Sequence, residues 1–345
     1  MRALSIDDYG IDHVAVREMP DPEPGPGEVL VGIKACALNR LDIWTLTGSL
    51  GIDIAFPHIL GADAAGEVLE TGTDVRGYPK GTRVLINPGL SCGACELCLA
   101  GEQSECPRFS MMGEHVPGTF AERVAVPASN VFPVPEHLSF IEAAALGVTS
   151  VTAYRMLFTR GQMKPGEWVL ITGIGGGLAM SLLHFARPLA GRVYVTSSSD
   201  EKIERALKLG ADAGINYREK DVAKEIRHMT GKRGVDLVVD SASGDALDAG
   251  LRALRKGGRL VTAGATAGGK ATINAQRLFW NQLSVIGSTM GSHNDFSEML
   301  RYVAGSKFKP PVDKVFPFDQ GAAAVRYLEA GEQFGKVVLE LATPP

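Results

Sequence analysis

The chain has 345 residues, 45% of them hydrophobic, and a formal net charge of −4. Its length exceeds the usual size of a single hydrophobic core, so two domains are expected. The absence of a basic run argues against nucleic-acid binding as the main activity, and without an apolar run of about 18 residues no membrane span is expected. No secretory signal is evident after Met1, so we expect a cytoplasmic protein.

The N-terminal part is predicted to form short β-strands. Alternating segments at Val14–Arg17 and Val29–Lys34 are separated by PDPEPGPGE, whose prolines and glycines oppose regular structure. The pattern continues at Glu67–Leu69 and Arg83–Ile86, with a turn glycine between them. A small antiparallel, barrel-like β domain fits these segments.

Four of the five cysteines fall in one segment, with the spacing C-x-x-C-x-x-C-x(7)-C. They are Cys92, Cys95, Cys98 and Cys106. Four thiolates at short spacings can close a tetrahedral zinc site, and disulfides are less expected in a reducing cytoplasm. The spacing matches neither common ferredoxin pattern, so an iron–sulfur cluster is a minor alternative. Because four thiolates leave no open position, we predict a structural zinc rather than a catalytic one.

After Leu138 the pattern changes to helices and then to an alternation of strands and helices. Ser139 is expected to cap one helix, and a second is expected around Thr152–Leu157. The segment Glu167–Lys202 then predicts a strand, a glycine turn, a helix and a second strand.

The glycine turn favours dinucleotide binding. It follows the apolar run Trp168–Thr172, and its glycines are Gly173, Gly175, Gly176 and Gly177. Glycines let the backbone approach a pyrophosphate, whose charge is met by the first amides of the helix that begins near Leu178. The glycine pattern alone is a weak signal, but both flanking strands and the helix favour a mononucleotide-binding unit over an ordinary turn.

Further strands continue this alternation. They are expected at Gly191–Thr196, Ala213–Tyr217, Val235–Asp240, Arg259–Ala263 and Leu283–Gly287. With Trp168–Thr172 they predict a doubly wound parallel sheet of six strands. The remaining helices, around Phe296–Ala304 and Gly321–Glu329, and the closing strand Lys336–Leu341 need a partner sheet, for which the N-terminal β domain is the candidate.

The order of these pieces resembles the medium-chain dehydrogenase/reductase superfamily, which includes zinc alcohol dehydrogenases and quinone reductases, over essentially the whole chain. The resemblance implies an α/β fold with a GroES-like β-barrel-type catalytic domain over residues 1–150, which contains a structural-zinc lobe at 88–110. A Rossmann domain is implied over 151–288 and a return to the catalytic domain over 289–345. An oxidoreductase with a nicotinamide cofactor and one structural zinc per chain is expected.

The residues that hold the catalytic zinc in zinc alcohol dehydrogenases are replaced here. With Asp42 setting the register, Asn39 stands where the resemblance places a cysteine ligand. Ala62 and Asp63 replace the last two residues of Gly-His-Glu, and Val148 stands where the last cysteine is expected. Alkyl groups offer no lone pair and a single amide oxygen cannot hold the ion, so we expect no catalytic zinc.

Two other side chains could be proposed as substitute ligands. Cys36 lies within the strand-like run Val29–Ala37, where a buried and inert thiol is the favoured interpretation. His58 lacks a second partner in the sequence, so a structural histidine is favoured. The quinone-reductase branch, which lacks zinc, is therefore the closer analogue.

The candidate catalytic residues are Asn39, Asp42, Asp63 and Thr152. Asn39 and Asp42 fit the Asn-x-x-Asp pattern of the quinone-reductase branch, where this segment lines the substrate pocket. Asp42 could instead only cap a short helix around Ile43–Leu46. Thr152 resembles a family threonine close to the nicotinamide, and its hydroxyl could also serve as a helix N-cap.

The residues after the second strand of the cofactor unit favour NADP(H), with NAD(H) as the alternative. An NAD-specific fold usually has an acidic residue there, which accepts hydrogen bonds from the ribose. Ser197 and Ser198 instead leave room for a 2′-phosphate, and Lys202 could add a positive charge. Asp200 and Glu201 weaken this prediction, because either could face the ribose.

The favoured reaction is hydride transfer from NADPH to a quinone or to the β-carbon of an α,β-unsaturated carbonyl compound. One alternative is an alcohol dehydrogenase acting on an alcohol/aldehyde pair, and another is a cofactor-binding protein without turnover. The expected partners are a small-molecule substrate and further copies of the chain. By the resemblance, the last Rossmann strand, LSVIGS, could pair with its copy, which predicts a homo-oligomer, either dimer or tetramer.

Overall fold

The computed structural model describes residues 1–49 and 51–341. It divides into two compact units, one formed by Met1–Val151 and Gly291–Pro345 and the other by Thr152–Met290. Among residues 1–49 and 51–341, no helix combines the length and the hydropathy that a membrane span requires.

The strands, in chain order, are β1 Arg2–Ile6, β2 Ala15–Glu18, β3 Glu28–Ala37, β4 His58–Ile59, β5 Asp63–Thr71, β6 Arg83–Ile86, β7 Gly89–Leu90, β8 Ser110–Met111, β9 Arg123–Pro127, β10 Val131–Pro133, β11 Trp168–Ile171, β12 Arg192–Ser197, β13 Ala213–Asn216, β14 Val235–Asp240, β15 Leu254–Thr262, β16 Ser284–Gly287, β17 Val312–Pro317 and β18 Lys336–Glu340.

The α-helices are α1 Arg40–Leu46, α2 Glu96–Leu99, α3 Phe140–Ala144, α4 Gly147–Tyr154, α5 Gly177–Ala186, α6 Asp200–Lys208, α7 Val222–Met229, α8 Asp245–Ala253, α9 Ala275–Trp280, α10 His293–Ser306 and α11 Gly321–Ala330. Short 3₁₀ turns occur at Ile11–His13, Gln103–Glu105, Ala128–Asn130 and Phe318–Gln320, and a π-helical segment follows α4 at Arg155–Arg160.

The first unit is built on a sheet in the order β10-β6-β5-β3-β18-β17, with β9 also paired to β3, and on a smaller sheet in the order β2-β1-β4. β18 runs antiparallel to β3, with Leu339 opposite Cys36. The prediction that the C-terminal strand joins the N-terminal β domain is therefore confirmed. The apolar faces of these strands and of α11 bury one core, which includes Val31, Val337 and Phe120.

The second unit has a parallel sheet in the order β13-β12-β11-β14-β15-β16. This order confirms the doubly wound sheet of six strands that the alternating pattern predicted. The six residues Val235–Asp240 of β14 are all buried, as expected for a central strand of a sheet covered on both faces. β15 begins at Leu254, five residues before the predicted start, because Leu254 pairs with Val235 ahead of a register shift.

Helix α3 begins where the sequence predicted, because Ser139 caps it. The Ser139 hydroxyl accepts a hydrogen bond from the Glu142 amide, and the Glu142 carboxylate accepts one from the Ser139 amide. The next helix was predicted around Thr152–Leu157, but α4 begins at Gly147. The interpretation of Thr152 as an N-cap is therefore wrong, since this residue lies inside the helix.

Candidate active site and zinc lobe

The four clustered cysteines converge on one point in the first unit. Their Sγ atoms all lie within 4.8 Å of one another, with 3.8 Å between Cys92 and Cys98 and 3.9 Å between Cys95 and Cys106. A tetrahedron of thiolates at the usual zinc–sulfur distance has edges of about 3.8 Å. The donor set and its dimensions therefore fit a structural zinc.

The local fold of the lobe explains how one loop brings the four thiols together. β7 and β8 pair at its base, and Cys98 lies in the short helix α2, which begins after Cys95. Backbone amides donate to the sulfurs, for example the Cys95 amide to the Cys92 Sγ at 3.3 Å. The backbone N–H of Ala94, followed by the Arg108 side chain, lowers the pKa of Cys92 to about 5, which favours the thiolate that a metal needs.

Within the described part of the chain, these cysteines are the only group of three or more His, Cys, Asp or Glu side chains placed to hold a metal ion together. The two substitutes considered from the sequence do not join such a group. Cys36 is fully buried in β3, and burial raises the pKa of its thiol well above the usual value. His58 is buried in β4, where burial lowers the pKa of its imidazole.

In the second unit, the glycine turn between β11 and α5 has the geometry that phosphate binding requires. Gly173 and Gly175 have φ angles of 67° and 122°, which favour glycine. A Cβ on Gly175 would lie 2.8 Å from the Lys202 Cδ, and a Cβ on Gly176 would meet no atom within 4 Å. The turn is therefore open on one side and carries a lysine side chain on the other.

The N-cap residue of α5 is Gly176, so no N-cap side chain accepts hydrogen bonds from the first amides of this helix. Gly176, Gly177 and Leu178 are half-buried at the start of this helix. The amides of such a helix start are donors for a phosphate group, whose charge the helix dipole favours. The residues present thus fit a dinucleotide cofactor.

Ser197 ends β12 and Ser198 follows it, and the end of this strand is hydrogen-bonded to the glycine turn through the Gly173 amide and the Thr196 hydroxyl at 3.1 Å. Ser197 is buried and Ser198 half-buried. The Ser197 hydroxyl accepts from the Ser199 amide at 3.2 Å. Asp200, the acidic residue next in the chain, accepts from the Asn216 side chain at 3.0 Å.

Asn39, Asp42 and Asp63 come together in the first unit, and a fourth residue, Lys336, joins them. The Lys336 Nζ donates to the Asn39 Oδ1 at 2.6 Å and to the Asp63 Oδ2 at 2.8 Å. The Asn39 side-chain amide also donates to the Asp63 Oδ2, at 2.9 Å. We refer to Asn39, Asp42, Asp63 and Lys336 as the buried polar cluster.

Asp42 is the third residue of α1, and one of its oxygens helps to begin this helix. Its Oδ2 accepts from the Asn39 backbone amide at 2.7 Å, and Asn39 is the N-cap residue. Its Oδ1 has no hydrogen-bond partner among the described residues. Burial raises the pKa of Asp42 to about 7, against the hydrogen bond from Asn39 and the charge of Lys336, which both lower it.

The other oxygen of Asp63 fixes the start of α4. The Asp63 Oδ1 accepts from the Val148 amide at 2.7 Å, so a carboxylate binds one of the first amides of this helix. A Cβ on Gly147 would lie 1.9 Å from the same oxygen. The glycine is required here because the carboxylate packs directly on its Cα.

Asn39 and Asp63 lie in two of the segments where the resemblance places ligands of a catalytic zinc, but the residues there do not fit that ion. Ala62 and Val148 offer no donor atom. The two oxygens that face inward, Asn39 Oδ1 and Asp63 Oδ2, both accept hydrogen bonds from the Lys336 ammonium. The ammonium group of Lys336 is therefore hydrogen-bonded to the oxygens that a metal ion would need as ligands.

Sequence reasoning missed Lys336. The available signal was its place as the first residue of β18, where a charged residue opens the otherwise apolar run of a buried strand. Thr152, the remaining candidate, belongs to the second unit, where its hydroxyl lies 3.8 Å from the Met290 Sδ.

Comparison with known proteins identifies two family models along the chain. Residues 25–136 match the alcohol dehydrogenase GroES-like domain, and residues 176–305 match the zinc-binding dehydrogenase domain. An alcohol dehydrogenase of Geobacillus stearothermophilus is 34% identical over 94% of this chain and 96% of its own length.

Solved structures agree in fold over nearly the whole chain. A crystal structure described as an NAD-dependent alcohol dehydrogenase is 42% identical, with a TM-score of 0.94, and the match covers 99% of this chain and 100% of that one. A thermostable alcohol dehydrogenase from Pyrobaculum aerophilum is 31% identical, with a TM-score of 0.89 and 99% of both chains covered. These matches confirm the predicted combination of a Rossmann sheet and a GroES-like domain.

The zinc lobe can be tested with Cys98→Ser, which removes one of four thiolates. We expect about one zinc per chain in the wild type and loss of the metal and a lower melting temperature in the variant, because a structural zinc stabilises the fold that its ligands close. Metal analysis by mass spectrometry and thermal unfolding measure both effects. Cys36→Ala, which changes the fifth cysteine, is the control and should keep its zinc. Full zinc content in Cys98→Ser would contradict the zinc lobe, and about two zinc ions per wild-type chain would contradict the expectation that Asn39, Ala62 and Val148 hold no catalytic zinc.

A second prediction concerns the pH dependence of stability. The pKa of Asp42 is about 7 in the folded chain against a usual value of 3.8, so its contribution to stability is complete below the usual value and is lost as the pH rises through about 7. The free energy of unfolding of the wild type should therefore fall relative to that of Asp42→Asn between those two pH values. Urea unfolding at several pH values measures it, with the exposed Asp53→Asn as the control; parallel curves for wild type and Asp42→Asn would refute the prediction.

Proposed function

This chain belongs to the zinc-type alcohol dehydrogenase-like proteins of the medium-chain dehydrogenase/reductase superfamily and is an oxidoreductase, and we propose that it transfers a hydride from NADPH to a quinone or an α,β-unsaturated carbonyl compound. The observation that supports this proposal is the buried polar cluster. Where alcohol dehydrogenases of the superfamily hold a zinc ion, this chain presents Asn39, Asp63 and Lys336.

Because the ligands of a catalytic zinc are replaced, we expect a substrate that is electrophilic without activation by a metal ion. Oxidation of an alcohol requires loss of the hydroxyl proton, which a bound metal promotes by lowering the alcohol pKa. Hydride addition to a conjugated alkene or a quinone places the developing negative charge on a delocalised oxygen. A hydrogen-bond donor can stabilise that charge, which the side chains of the buried polar cluster can supply.

The cofactor supplies the hydride when it is bound. In this proposal the amides after Gly176 bind the pyrophosphate, and Lys202, beside Gly175, adds a positive charge there. The hydroxyl groups of Ser197 and Ser198 donate hydrogen bonds to a 2′-phosphate, and no carboxylate stands at the end of β12 to repel it. Asp200 supports the same preference because its carboxylate is held by Asn216. Thr152 is proposed to contact the nicotinamide.

A second candidate function is oxidation or reduction of an alcohol/aldehyde pair with NAD(H). The names of the relatives favour it, because the 42% identical structure is described as an NAD-dependent alcohol dehydrogenase. A cofactor-binding protein without turnover is the third candidate. We also propose a homo-oligomer, since β16 ends its sheet and an edge strand favours being covered.

The substrate class can be tested by steady-state rates of the zinc-loaded wild type. We expect reduction of quinones and enones to exceed oxidation of simple alcohols by about 100-fold or more in kcat/KM, since no Lewis acid promotes loss of the alcohol proton. Absorbance of the reduced cofactor measures all these reactions. Faster alcohol oxidation would establish the second candidate, and cofactor binding without oxidation across the panel would establish the third.

The cofactor preference can be tested by titrating NADPH and NADH while following protein fluorescence. We expect tighter NADPH binding in the wild type and a reversed preference in Ser197→Asp, because a carboxylate there repels the 2′-phosphate and accepts from the ribose hydroxyls. Glu201→Gln is the matched variant, because it removes the nearby carboxylate that could otherwise face the ribose. Tighter NADH binding by the wild type, weakened by Glu201→Gln, would contradict the proposal.

A further inference from the structure

The ion pair between Lys336 and Asp63 is unusual in its burial. The lysine side chain is 3% exposed and the aspartate side chain 0%. Burying two charges has a desolvation cost that their attraction offsets only with good geometry and further hydrogen bonds. A buried ion pair of this kind adds little net stability. Lys336 is therefore a candidate for a chemical role.

The hydrogen bonds of the cluster leave one donor of the lysine available. An ammonium has three N–H groups. Among the residues that the structure describes, Lys336 donates to two acceptors, Asn39 and Asp63. Both oxygens of Asp63 are already hydrogen-bonded, one to Lys336 and Asn39 and the other to the Val148 amide. The carboxylate is therefore held in place, whereas the ammonium has an N–H left.

The four residues of the buried polar cluster differ in their exposed fractions. Asp42 and Asp63 are 0% exposed, whereas Lys336 and Asn39 retain 3% and 5%. Whatever part of the cluster a small molecule can reach thus belongs to Lys336 or Asn39 and not to a carboxylate. Such a surface attracts an oxygen that carries partial negative charge.

We propose that Lys336 is a catalytic residue, whose ammonium donates a hydrogen bond to the carbonyl oxygen of the substrate in the place of a metal ion. Asp63 and Asn39 are positioning residues that hold the ammonium through two of its three N–H groups. The inference rests on the proposed function for the identity of the substrate, and it assigns to this chain's own residue the electrophilic part of the reaction.

The reaction is balanced without a further co-reactant. The hydride forms the new C–H bond at the β-carbon while the electron pair of the C=C bond moves toward the carbonyl oxygen. NADPH is oxidised, the alkene is reduced, and a proton from water completes the α-carbon as the carbonyl is restored. Lys336 stabilises the negative charge that develops on oxygen, and it keeps its own proton throughout.

A polarisable aldehyde tests this contact without requiring turnover. 4-Dimethylaminocinnamaldehyde absorbs at longer wavelength when positive charge meets its carbonyl oxygen. It would be added to the zinc-loaded chain with oxidised cofactor, so that no reduction occurs. Removal of the lysine alone would strand a buried carboxylate, so the test variant combines Lys336→Met with Asp63→Asn.

Two comparisons isolate the ammonium. Lys336→Arg keeps a positive charge at the same position, and Lys34→Ala removes a different lysine, which pairs with Glu67 in the same unit. We expect the red shift in the wild type and in both comparison variants, and its loss in the combined variant. The combined variant should also transfer hydride to enones about 100-fold more slowly in single turnover, with the cofactor dissociation constant changed by less than about threefold.

The outcomes separate the inference from the proposed function. No red shift in the wild type, or an equal shift in the combined variant, overturns the role of Lys336 even if enones are reduced. A loss confined to cofactor affinity also overturns it, because the ammonium would then serve an anionic group of the cofactor. A shift that depends on Lys336 in a chain that reduces no enone or quinone supports the contact and refutes the proposed function instead.

Discussion

The ion pair between Lys336 and Asp63 joins three parts of the first unit at one point. Lys336 opens β18, Asp63 opens β5, and the second oxygen of Asp63 accepts from the amide of Val148 at the start of α4. Because an unpaired buried charge costs several kcal/mol, the register of β18 against β3 and the start of α4 must agree with this contact. The site and the fold therefore depend on the same interaction.

The two polar centres of the first unit are built by different means. The zinc lobe takes its four thiols from fifteen consecutive residues, Cys92–Cys106, so the short loop itself brings the ligands together. The buried polar cluster takes its residues from distant parts of the chain, with Lys336 and Asn39 separated by 297 residues. Local spacing determines the first centre, whereas the sheet determines the second.

This difference explains how much the sequence could predict. Apolar periodicity and the glycine turn predicted the order of the parallel sheet, because each of these signals is local. The cysteine spacing predicted a thiolate site for the same reason. The sequence also placed Asn39 and Asp63 in one candidate site, but only through the resemblance to a family.

What the sequence did not predict depends on contacts between distant residues. Lys336 gains its place only when β18 pairs with β3, which no local pattern specifies. The start of α4 is set by Asp63, a residue 85 positions away from the amide it accepts from, so propensity around Thr152 predicted the wrong boundary. β15 likewise begins earlier than predicted, because Leu254 pairs with Val235.

The charges of the buried polar cluster are matched when Asp42 is protonated. Lys336 then balances the charge of Asp63 alone, because a protonated Asp42 adds no second negative charge to the cluster. When the pH rises above about 7, the charge of Asp42 adds to that of Asp63 and weakens the positive potential around Lys336. In the proposed contact of Lys336 with an external oxygen, the burial that raises the pKa of Asp42 therefore favours the lysine as a donor below about pH 7.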